Sequence, residues 1–220
     1  MVEEEIKLLF SKYPEVLFGY AKIDNGVFQN EYKSALVFAV PHKGQVTLKT
    51  YTEIKFENGI VEARKIVDEI VPKIERILKT NSIKYYVPPV AQSNEEDLLA
   101  PFSFKFAAVN AGIGWIGKND VVITEQYGPR IRLSAILIDY EFKYGEKISQ
   151  SRCPKDCNKC INICPHKALK NTLWNIDKLR SEIIDYHLCN KKRSDYIKDH
   201  GRKNSCGLCL AVCPYGVKIS

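Results

Sequence analysis

The feature that most constrains this chain is a short cysteine pattern that occurs twice in its last third. Residues 157–165 and 206–214 both follow C-x2-C-x3-C-P, and one further cysteine precedes each copy, Cys153 and Cys189. These account for all 8 cysteines among the 220 residues. The repeat indicates one small structural unit used twice, folded around whatever the cysteines bind.

The repeat predicts two [4Fe-4S] clusters. A two-residue gap lets consecutive thiolates reach one cluster, while the x3-C-P step carries the last cysteine toward the neighbouring cluster. The two motifs are therefore expected to exchange their last cysteines. The predicted ligand sets are Cys153, Cys157, Cys160 and Cys213 for the first cluster, and Cys189, Cys206, Cys209 and Cys164 for the second. Pro165 and Pro214 are expected in the first turn of a following helix, where a missing backbone donor costs nothing.

Disulfide bonds and zinc are the alternatives for eight cysteines. The N-terminal sequence Met1-Val-Glu-Glu-Glu5 is acidic and shows no signal-peptide pattern, which argues against an oxidising compartment. Two zinc sites would also use C-x2-C pairs. Zinc does not need a cysteine that crosses to a partner site, so the repeated x3-C-P step favours clusters.

Composition and charge give further expectations. With 45% hydrophobic residues the chain can bury a core. No apolar run approaches the ~18 residues of a membrane span, so we expect a cytoplasmic protein without a membrane partner. Residues 143–220 hold 16 Lys and Arg against 7 Asp and Glu, and residues 1–142 hold 17 against 19. Part of this excess balances anionic clusters, and the rest suits an acidic electron donor or an RNA backbone.

The first two-thirds alternate helix-like and strand-like segments, which predicts an α/β (α+β) layered domain. Helices are expected at 3–10, 61–79 and 102–110, and strands at 16–23, 35–40, 46–51, 83–87, 121–124 and 130–139. Pro72 is expected to kink or interrupt the second helix. The polar stretch from Tyr144 to Arg152 predicts a boundary between an α/β domain at 1–145 and a double-cluster domain at 146–220.

The segment Gly112-Ile-Gly-Trp-Ile-Gly117 fits the pattern G-x-G-x-x-G. A dinucleotide fingerprint follows a strand and opens a helix, whereas this segment follows a helical pattern and leads into a strand. A nicotinamide cofactor is therefore not expected here. The glycines would still allow a ligand to approach the backbone closely.

Together with the cysteine repeat, Ala111-Gly-Ile-Gly-Trp-Ile-Gly-Lys-Asn119 and Tyr127-Gly-Pro-Arg-Ile-Arg-Leu133 resemble the epoxyqueuosine reductase superfamily, especially its short members with a C-terminal double-cluster domain. The motifs match in order over roughly residues 83–217. The chain is more distantly similar to the core of reductive dehalogenases and to cluster modules of corrinoid-activating proteins. The resemblance implies a nitroreductase-like domain that binds cobalamin, followed by a ferredoxin-like module that supplies electrons.

The resemblance also indicates candidate cofactor-binding residues, which are Gly112, Gly114, Trp115, Gly117, Lys118 and Arg130. Lys118 either reaches a phosphate or corrinoid side chain or is a surface lysine beside a turn. Trp115 either packs on a cofactor or fills a domain-interface core. Arg130 either binds an anionic cofactor group or lies on a solvated strand face.

Three departures separate the chain from the characterised tRNA enzyme. The family's catalytic aspartate lies in a Val-Asp-Ser-Ala-Pro stretch, but the corresponding strand reads Tyr85-Tyr-Val-Pro-Pro89. Asp97 is the candidate acid by a shifted alignment, with an exposed loop aspartate as the alternative. The chain ends at Ser220 without the helical repeats that help to hold tRNA, so tRNA is not the favoured substrate. Cys153 and Cys157 are also separated by three residues, whereas the family's first motif begins C-x2-C.

These observations predict an iron-sulfur oxidoreductase. Low-potential electrons from a ferredoxin or flavodoxin would pass through both clusters to a cofactor, a corrinoid by resemblance, and reduce an unidentified substrate. One alternative is an electron-transfer or activator protein without substrate chemistry of its own. The other is reduction of epoxyqueuosine in tRNA.

Overall fold

The computed structural model of the chain describes residues 1–89, 98, 100–191 and 206–217. The chain forms two compact units whose segments interleave along the sequence. The first unit comprises Met1–Pro41, Glu62–Ile113 and Arg132–Ile148, and the second comprises His42–Val61, Gly114–Ile131 and Ser149–Ser220. The boundary predicted after residue 145 lies beside the last crossing between the units. The structure also assigns residues 42–61 and 114–131 to the unit that contains the cysteines.

The helices and strands follow the predicted order closely. They are α1 (Val2–Phe10), β1 (Leu17–Lys22), β2 (Ser34–Pro41), α2 (Glu53–Thr80), β3 (Tyr85–Tyr86), α3 (Phe104–Asn110), β4 (Trp115–Ile116), β5 (Val122–Ile123), β6 (Ile131–Ile138), α4 (Lys159–Ile163), α5 (Arg180–Ile183), a helical segment α6 at 186–191, and α7 (Leu208–Ala211). The strand predicted at 46–51 is wrong, because these residues form turns and loop. α2 also begins earlier than predicted and continues through Pro72 without interruption.

A four-stranded sheet in the order β1-β2-β6-β3 organises the first unit. β1 pairs antiparallel with β2, and β3 pairs antiparallel with β6. Alternate residues of a strand point to opposite faces. Leu36, Phe38 and Val40 pack with α1 and the part of α2 that belongs to this unit. Ala35 and Val37, which point to the other face, are equally buried. Helix α3 contacts β1 and β2. Helices covering both faces explain why β2 is a continuous apolar run.

Among the described residues of the first unit, the Tyr20 hydroxyl is buried in the core without a hydrogen-bond partner. Its ring stacks on Phe142 with centroids 4.1 Å apart, and burial raises the pKa of the hydroxyl well above its usual value. A buried polar group that makes no hydrogen bond costs free energy.

We expect Tyr20→Phe to raise the free energy of unfolding by about 1 kcal/mol, since only the unpaired hydroxyl is removed. The matched control is Tyr13→Phe, because the Tyr13 hydroxyl lies 2.6 Å from both Glu69 Oε1 and Lys73 Nζ. Thermal unfolding of the two variants should show opposite signs, with Tyr13→Phe neutral or destabilising. A lower melting temperature for Tyr20→Phe would contradict this prediction.

The second unit is built from short elements joined by turns. β4 and β5 pair antiparallel, with Trp115 opposite Ile123. An isolated bridge joins Leu169 to Ile184, and another joins Gln150 to Asn175. Such short elements bury little backbone on their own, so this unit depends on specific side-chain contacts and on what its cysteines bind. No helix in the described part of the chain is long and apolar enough to cross a membrane.

Candidate metal centres

A short helix separates the second and third cysteines of each repeat. α4 carries Cys160 and has Cys164 as its C-cap residue. α7 carries Cys209, and Cys213 follows the C-cap residue Val212. In both copies the distance between the two cysteines is therefore set by one turn of hydrogen-bonded backbone.

The prolines of the two motifs lie elsewhere than predicted. Pro165 is in a turn, and Pro214 precedes a turn at residues 215–216. The helix expected after each proline is wrong, because the helix instead occupies the x3 spacer before it. Proline suits this place, since it cannot continue the helix that has just ended.

The first group of cysteines surrounds one cavity, which is lined by Cys153, Cys157, Cys160 and Cys213 with Lys118 and Asn119 among its other walls. Burial raises the pKa of the Cys160 thiol to about 11, with contributions from Cys153 and Cys157. Burial also raises the pKa of Cys213 to about 11; Arg130 opposes this rise, and Cys153 and Cys160 add to it. The four cysteines predicted for the first cluster are thus neighbours.

The second group is centred on Cys209. Burial raises the pKa of this thiol well above its usual value, and the nearby Cys206, Cys189, Cys160 and Cys164 raise it as well. Ala168, Leu169 and Ile184 form a small apolar core against which several of these cysteines pack, namely Cys160, Cys164, Cys189 and Cys209. The cysteines predicted for the second cluster are also neighbours, and Cys160 borders both groups.

All eight cysteines are free thiols in the structure. No three His, Cys, Asp or Glu side chains in the described ranges are placed to hold a single metal ion. The thiols of the first group instead surround one cavity. Cysteine binds cluster iron as a thiolate, so cluster binding releases protons from these thiols. The donor set therefore fits [4Fe-4S] clusters, which take four cysteine thiolates each.

The turn between β4 and β5 carries three buried polar residues, Lys118, Asn119 and Asp120. Lys118 Nζ donates to the Lys155 and Cys157 carbonyl oxygens at 2.8 and 3.1 Å. It also lies 3.4 Å from Asn158 Oδ1 and 3.0 Å from Asn171 Oδ1. Lys118 is therefore not a surface lysine but a buried cation that holds the segment around Cys157.

The other two residues of this turn contact different segments. Asn119 Nδ2 donates to the Cys209 carbonyl oxygen at 3.2 Å. The Asp120 carboxylate lies 3.1 Å from Arg180 Nε, in an ion pair that sequence reasoning missed. Asp120 has a φ of +58°, a left-handed conformation that aspartate adopts more readily than most residues. A single turn thus connects both cysteine motifs and α5.

Arg130 is fully buried and holds the segment after α7. Its Nη1 donates to the carbonyl oxygens of Leu210 and Cys213 at 2.9 and 3.1 Å, and Nη2 donates to that of Tyr215. Its Nε lies 3.2 Å from Gln45 Oε1. The solvated strand face considered from the sequence is therefore wrong for Arg130, which satisfies carbonyl groups left open at the end of a helix.

Trp115 is completely buried within the second unit. The Tyr215 ring packs edge-on against it with centroids 4.9 Å apart, and the Arg152 guanidinium lies 5.5 Å from the ring centroid. Tyr215 in turn donates from its hydroxyl to the Arg152 carbonyl oxygen at 2.7 Å. These contacts place Trp115 in the packing around the segment that follows Cys213.

Close packing accounts for the glycines of the G-x-G-x-x-G segment, against backbone at Gly112 and Gly114 and against side chains at Gly117. Gly112 has a φ of +73°, and a Cβ atom there would lie 2.6 Å from the Glu146 carbonyl oxygen. A Cβ on Gly114 would collide with the Ile123 carbonyl oxygen, and one on Gly117 would lie 2.7 Å from Asn119 Oδ1. Binding of a ligand by these glycines stays a prediction. Asp97 lies outside the described residues.

The first unit contains its own cavity of about 220 Å³. Aromatic and aliphatic side chains form much of its wall, including Phe28, Phe102 and Phe106. Its polar walls include Lys22 and Asn110, and the side-chain oxygen of Asn110 is buried without a hydrogen-bond partner. The cavity therefore offers apolar surface and one unused acceptor to a small molecule.

Comparison with known families identifies the cysteine-rich segment. Residues 152–216 match the family described as "4Fe-4S double cluster binding domain". All eight cysteines fall in this range. The chain therefore carries a double-cluster domain, and the predicted pair of [4Fe-4S] clusters is confirmed at the level of that domain.

Comparison with curated proteins confirms the resemblance. The chain is 31% identical over 125 residues to an epoxyqueuosine reductase from Atelocyanobacterium thalassa, covering 54% of this chain and 39% of that protein. It is 24% identical over 197 residues to a tetrachloroethene reductive dehalogenase from Dehalobacter restrictus, covering 83% of this chain and 33% of that protein. The chain thus spans less than half the length of either relative.

Solved structures share the fold of this chain. A crystal structure of epoxyqueuosine reductase with a tRNA stem loop has a TM-score of 0.63 at 17% identity, covering 97% of this chain and 64% of that one. A reductive dehalogenase described as B12-dependent has a TM-score of 0.67 at 16% identity, covering 98% and 32%. These likenesses confirm a mixed α/β fold, while the nitroreductase-like description stays a prediction.

Proposed function

We propose that this chain is an iron-sulfur reductase in which two [4Fe-4S] clusters pass low-potential electrons to a reactive centre in the first unit. The first cluster would be held by Cys153, Cys157, Cys160 and Cys213, and the second by Cys164, Cys189, Cys206 and Cys209. The observation that carries the proposal is the cavity shared by Cys153, Cys157, Cys160 and Cys213, together with the nearness of Cys164, Cys189 and Cys206 to Cys209. The reductases among the relatives support the same class of reaction.

The clusters supply one-electron transfer, and the chain's own residues hold and insulate them. Each thiol must lose its proton to bind iron, and the bond to iron would offset the cost of burying the thiolate. A ferredoxin or flavodoxin is the proposed reductant and gives up one electron per transfer. Two such transfers and two protons complete a two-electron reduction of the substrate. The lysine and arginine excess after residue 143 suits an acidic donor.

Cobalamin is the proposed centre by analogy with the B12-dependent dehalogenase. The cavity within the first unit does not fit a corrinoid by itself, because about 220 Å³ is below the roughly 300–1,000 Å³ of typical cofactor and drug-sized ligand pockets. It fits a small organic molecule, with apolar contact from Phe28 and Phe102 and a hydrogen bond to Asn110 Oδ1. We therefore assign this cavity to substrate.

Two other functions remain as proposals. Reduction of epoxyqueuosine in tRNA is favoured by the epoxyqueuosine reductases among the relatives and structures. An electron-transfer or activator role is favoured by the aspartate missing from the strand at Tyr85–Tyr86. Asp97 stays the proposed acid for either reductase, and Asp97→Asn should abolish turnover without altering the iron content if this is correct.

The first test is the metal content of protein produced with cobalamin available and purified without oxygen. About eight irons per chain would support the two clusters, and about one cobalt would add a corrinoid centre. Iron without cobalt would favour an electron-transfer protein or another cofactor in the first unit. Zinc in place of iron would overturn the proposal. Turnover that depends on epoxyqueuosine-containing tRNA would select the tRNA reaction.

A further inference from the structure

Two buried cations, Lys118 and Arg130, contact the segments that carry the first cysteine group. Their side chains belong to residues that are 3% and 0% exposed. Every acceptor that they contact in the described part of the chain is an uncharged carbonyl or amide oxygen. Both positive charges are thus buried with hydrogen bonds but without a carboxylate.

Lys118 and Arg130 each donate hydrogen bonds to a different cysteine motif. Lys118 reaches the segment 155–158, which includes Cys157, and connects it to Asn171. Arg130 reaches the segment 210–215, which includes Cys213. These segments approach the first cavity from different parts of the sequence, and Lys118 lines that cavity directly. Loss of either cation would release one wall of the site.

The burial of the Lys118 and Arg130 positive charges has an energetic cost. A cation that is buried without a counter-charge is unfavourable, even when its hydrogen bonds are satisfied. A [4Fe-4S] cluster with four thiolate ligands is anionic, and reduction by one electron makes it more so. An anionic group in the first cavity would face Lys118 in the cavity wall and lie beside Cys213, whose carbonyl oxygen accepts from Arg130, so both positive charges would favour it, most strongly in its reduced state.

We propose that Lys118 and Arg130 are positioning residues of the first cluster, holding its two ligand segments and stabilising its reduced form. The inference rests on the proposed ligation of that cluster. It gives Lys118, in the turn between β4 and β5, and Arg130, just before β6, a role in setting a reduction potential, which depends on nearby charge and hydrogen bonding.

The test is a potentiometric titration of the anaerobically purified full chain, followed by the electron paramagnetic resonance signal of the reduced clusters. Lys118→Met removes the charge at similar length and should disfavour reduction of the first cluster about tenfold, a shift of about 59 mV to lower potential. Lys159→Met is the matched control. Lys159 borders the same cavity but is exposed, so water and salt screen its charge and a shift below about twofold is expected.

Asn171→Asp provides a milder variant if Lys118→Met does not fold. The new carboxylate would lie where Asn171 Oδ1 now accepts from Lys118 Nζ at 3.0 Å. It keeps the hydrogen bond and cancels the net charge, so it should lower the same potential. Asn175→Asp, at a half-buried bridge residue elsewhere in the unit, controls for the added negative charge. Lys118→Arg keeps the charge and should restore the wild-type potential.

The first-cluster potential and the iron content of the variants decide whether the inference holds. A lower first potential in Lys118→Met and Asn171→Asp supports the inference, as does selective loss of about four irons in Lys118→Met but not in Lys118→Arg. Two unchanged potentials in both charge-cancelling variants, with the full iron content, would overturn it while leaving the cluster assignment intact. Wild-type protein that binds no iron-sulfur cluster would instead overturn the proposed function itself.

Discussion

Cys213→Ala is expected to lose one of the two clusters and to retain about four of about eight irons per chain. The reason is geometric, because Cys213 lines the same cavity as Cys153, Cys157 and Cys160. Cys209, which belongs to the same repeat as Cys213, lies in the other group. A cubane with one thiolate missing is labile, and the three remaining thiols would return to their protonated state. Cys164→Ala should remove the other cluster by the same argument. Iron and acid-labile sulfide per chain measure both losses.

The exchange of last cysteines is tested by combining single variants. If Cys213 and Cys157 bind the same cluster, the double variant Cys213→Ala/Cys157→Ala should still retain about four irons. Cys164→Ala/Cys157→Ala should retain none, because these cysteines belong to different clusters. The opposite result, with the first double variant empty and the second half-loaded, would mean that each motif binds its own cluster.

The cysteine spacing predicted two groups of thiols but not the contacts that hold them. Spacing limits which thiols can reach one cluster, and the structure places those thiols together. It does not reveal whether the intervening residues turn before or after the proline. A helix was expected after each proline, but the helices precede the prolines and include Cys160 and Cys209. The predicted grouping of the thiols did not depend on the position of these helices.

Long elements with a clear apolar pattern were also predictable. β2 is an apolar run, β6 ends in the apolar residues 135–138, and α1 shows the helical spacing of Val2, Ile6 and Phe10. The segment at 46–51 alternates like a strand but forms turns, because local alternation says nothing about whether a neighbouring strand is available for pairing.

The roles of Lys118 and Arg130 could not be predicted from composition or spacing. Their acceptors are carbonyl groups of the cysteine segments, 37 to 85 residues away along the chain. A main-chain carbonyl is present at every position, so the sequence carries no signal for such a contact. A usable hint was the placement of Lys118 directly after the closely packed Gly117, since a tight hairpin limits where its side chain can go.

Gly128→Ala is expected to destabilise the second unit by about 3 kcal/mol or more, at the upper end of ordinary single substitutions. Gly128 has a φ of +58°, and a Cβ there would collide with the Tyr215 carbonyl oxygen and lie 2.8 Å from its carbonyl carbon. Neither backbone segment can shift without disturbing hydrogen bonds. Gly128 pairs with Thr124 through two hydrogen bonds, and the Tyr215 carbonyl accepts from Arg130. The displaced segment includes Cys213, so the first cluster should be lost as well.

Gly44→Ala is the matched control for this prediction, because it separates backbone strain from the collision. Gly44 lies in the same unit with a φ of +80°, and nothing is within 4 Å of the position of its Cβ. Only the left-handed conformation is penalised there, at about 1–2 kcal/mol. Thermal unfolding and iron content, measured without oxygen, should show a small loss of stability with full iron for Gly44→Ala, and a large loss with about half the iron for Gly128→Ala. Equal behaviour of the two variants would mean that the Tyr215 segment can move freely, and that its contact with Gly128 and Arg130 does not hold the first cluster's last ligand.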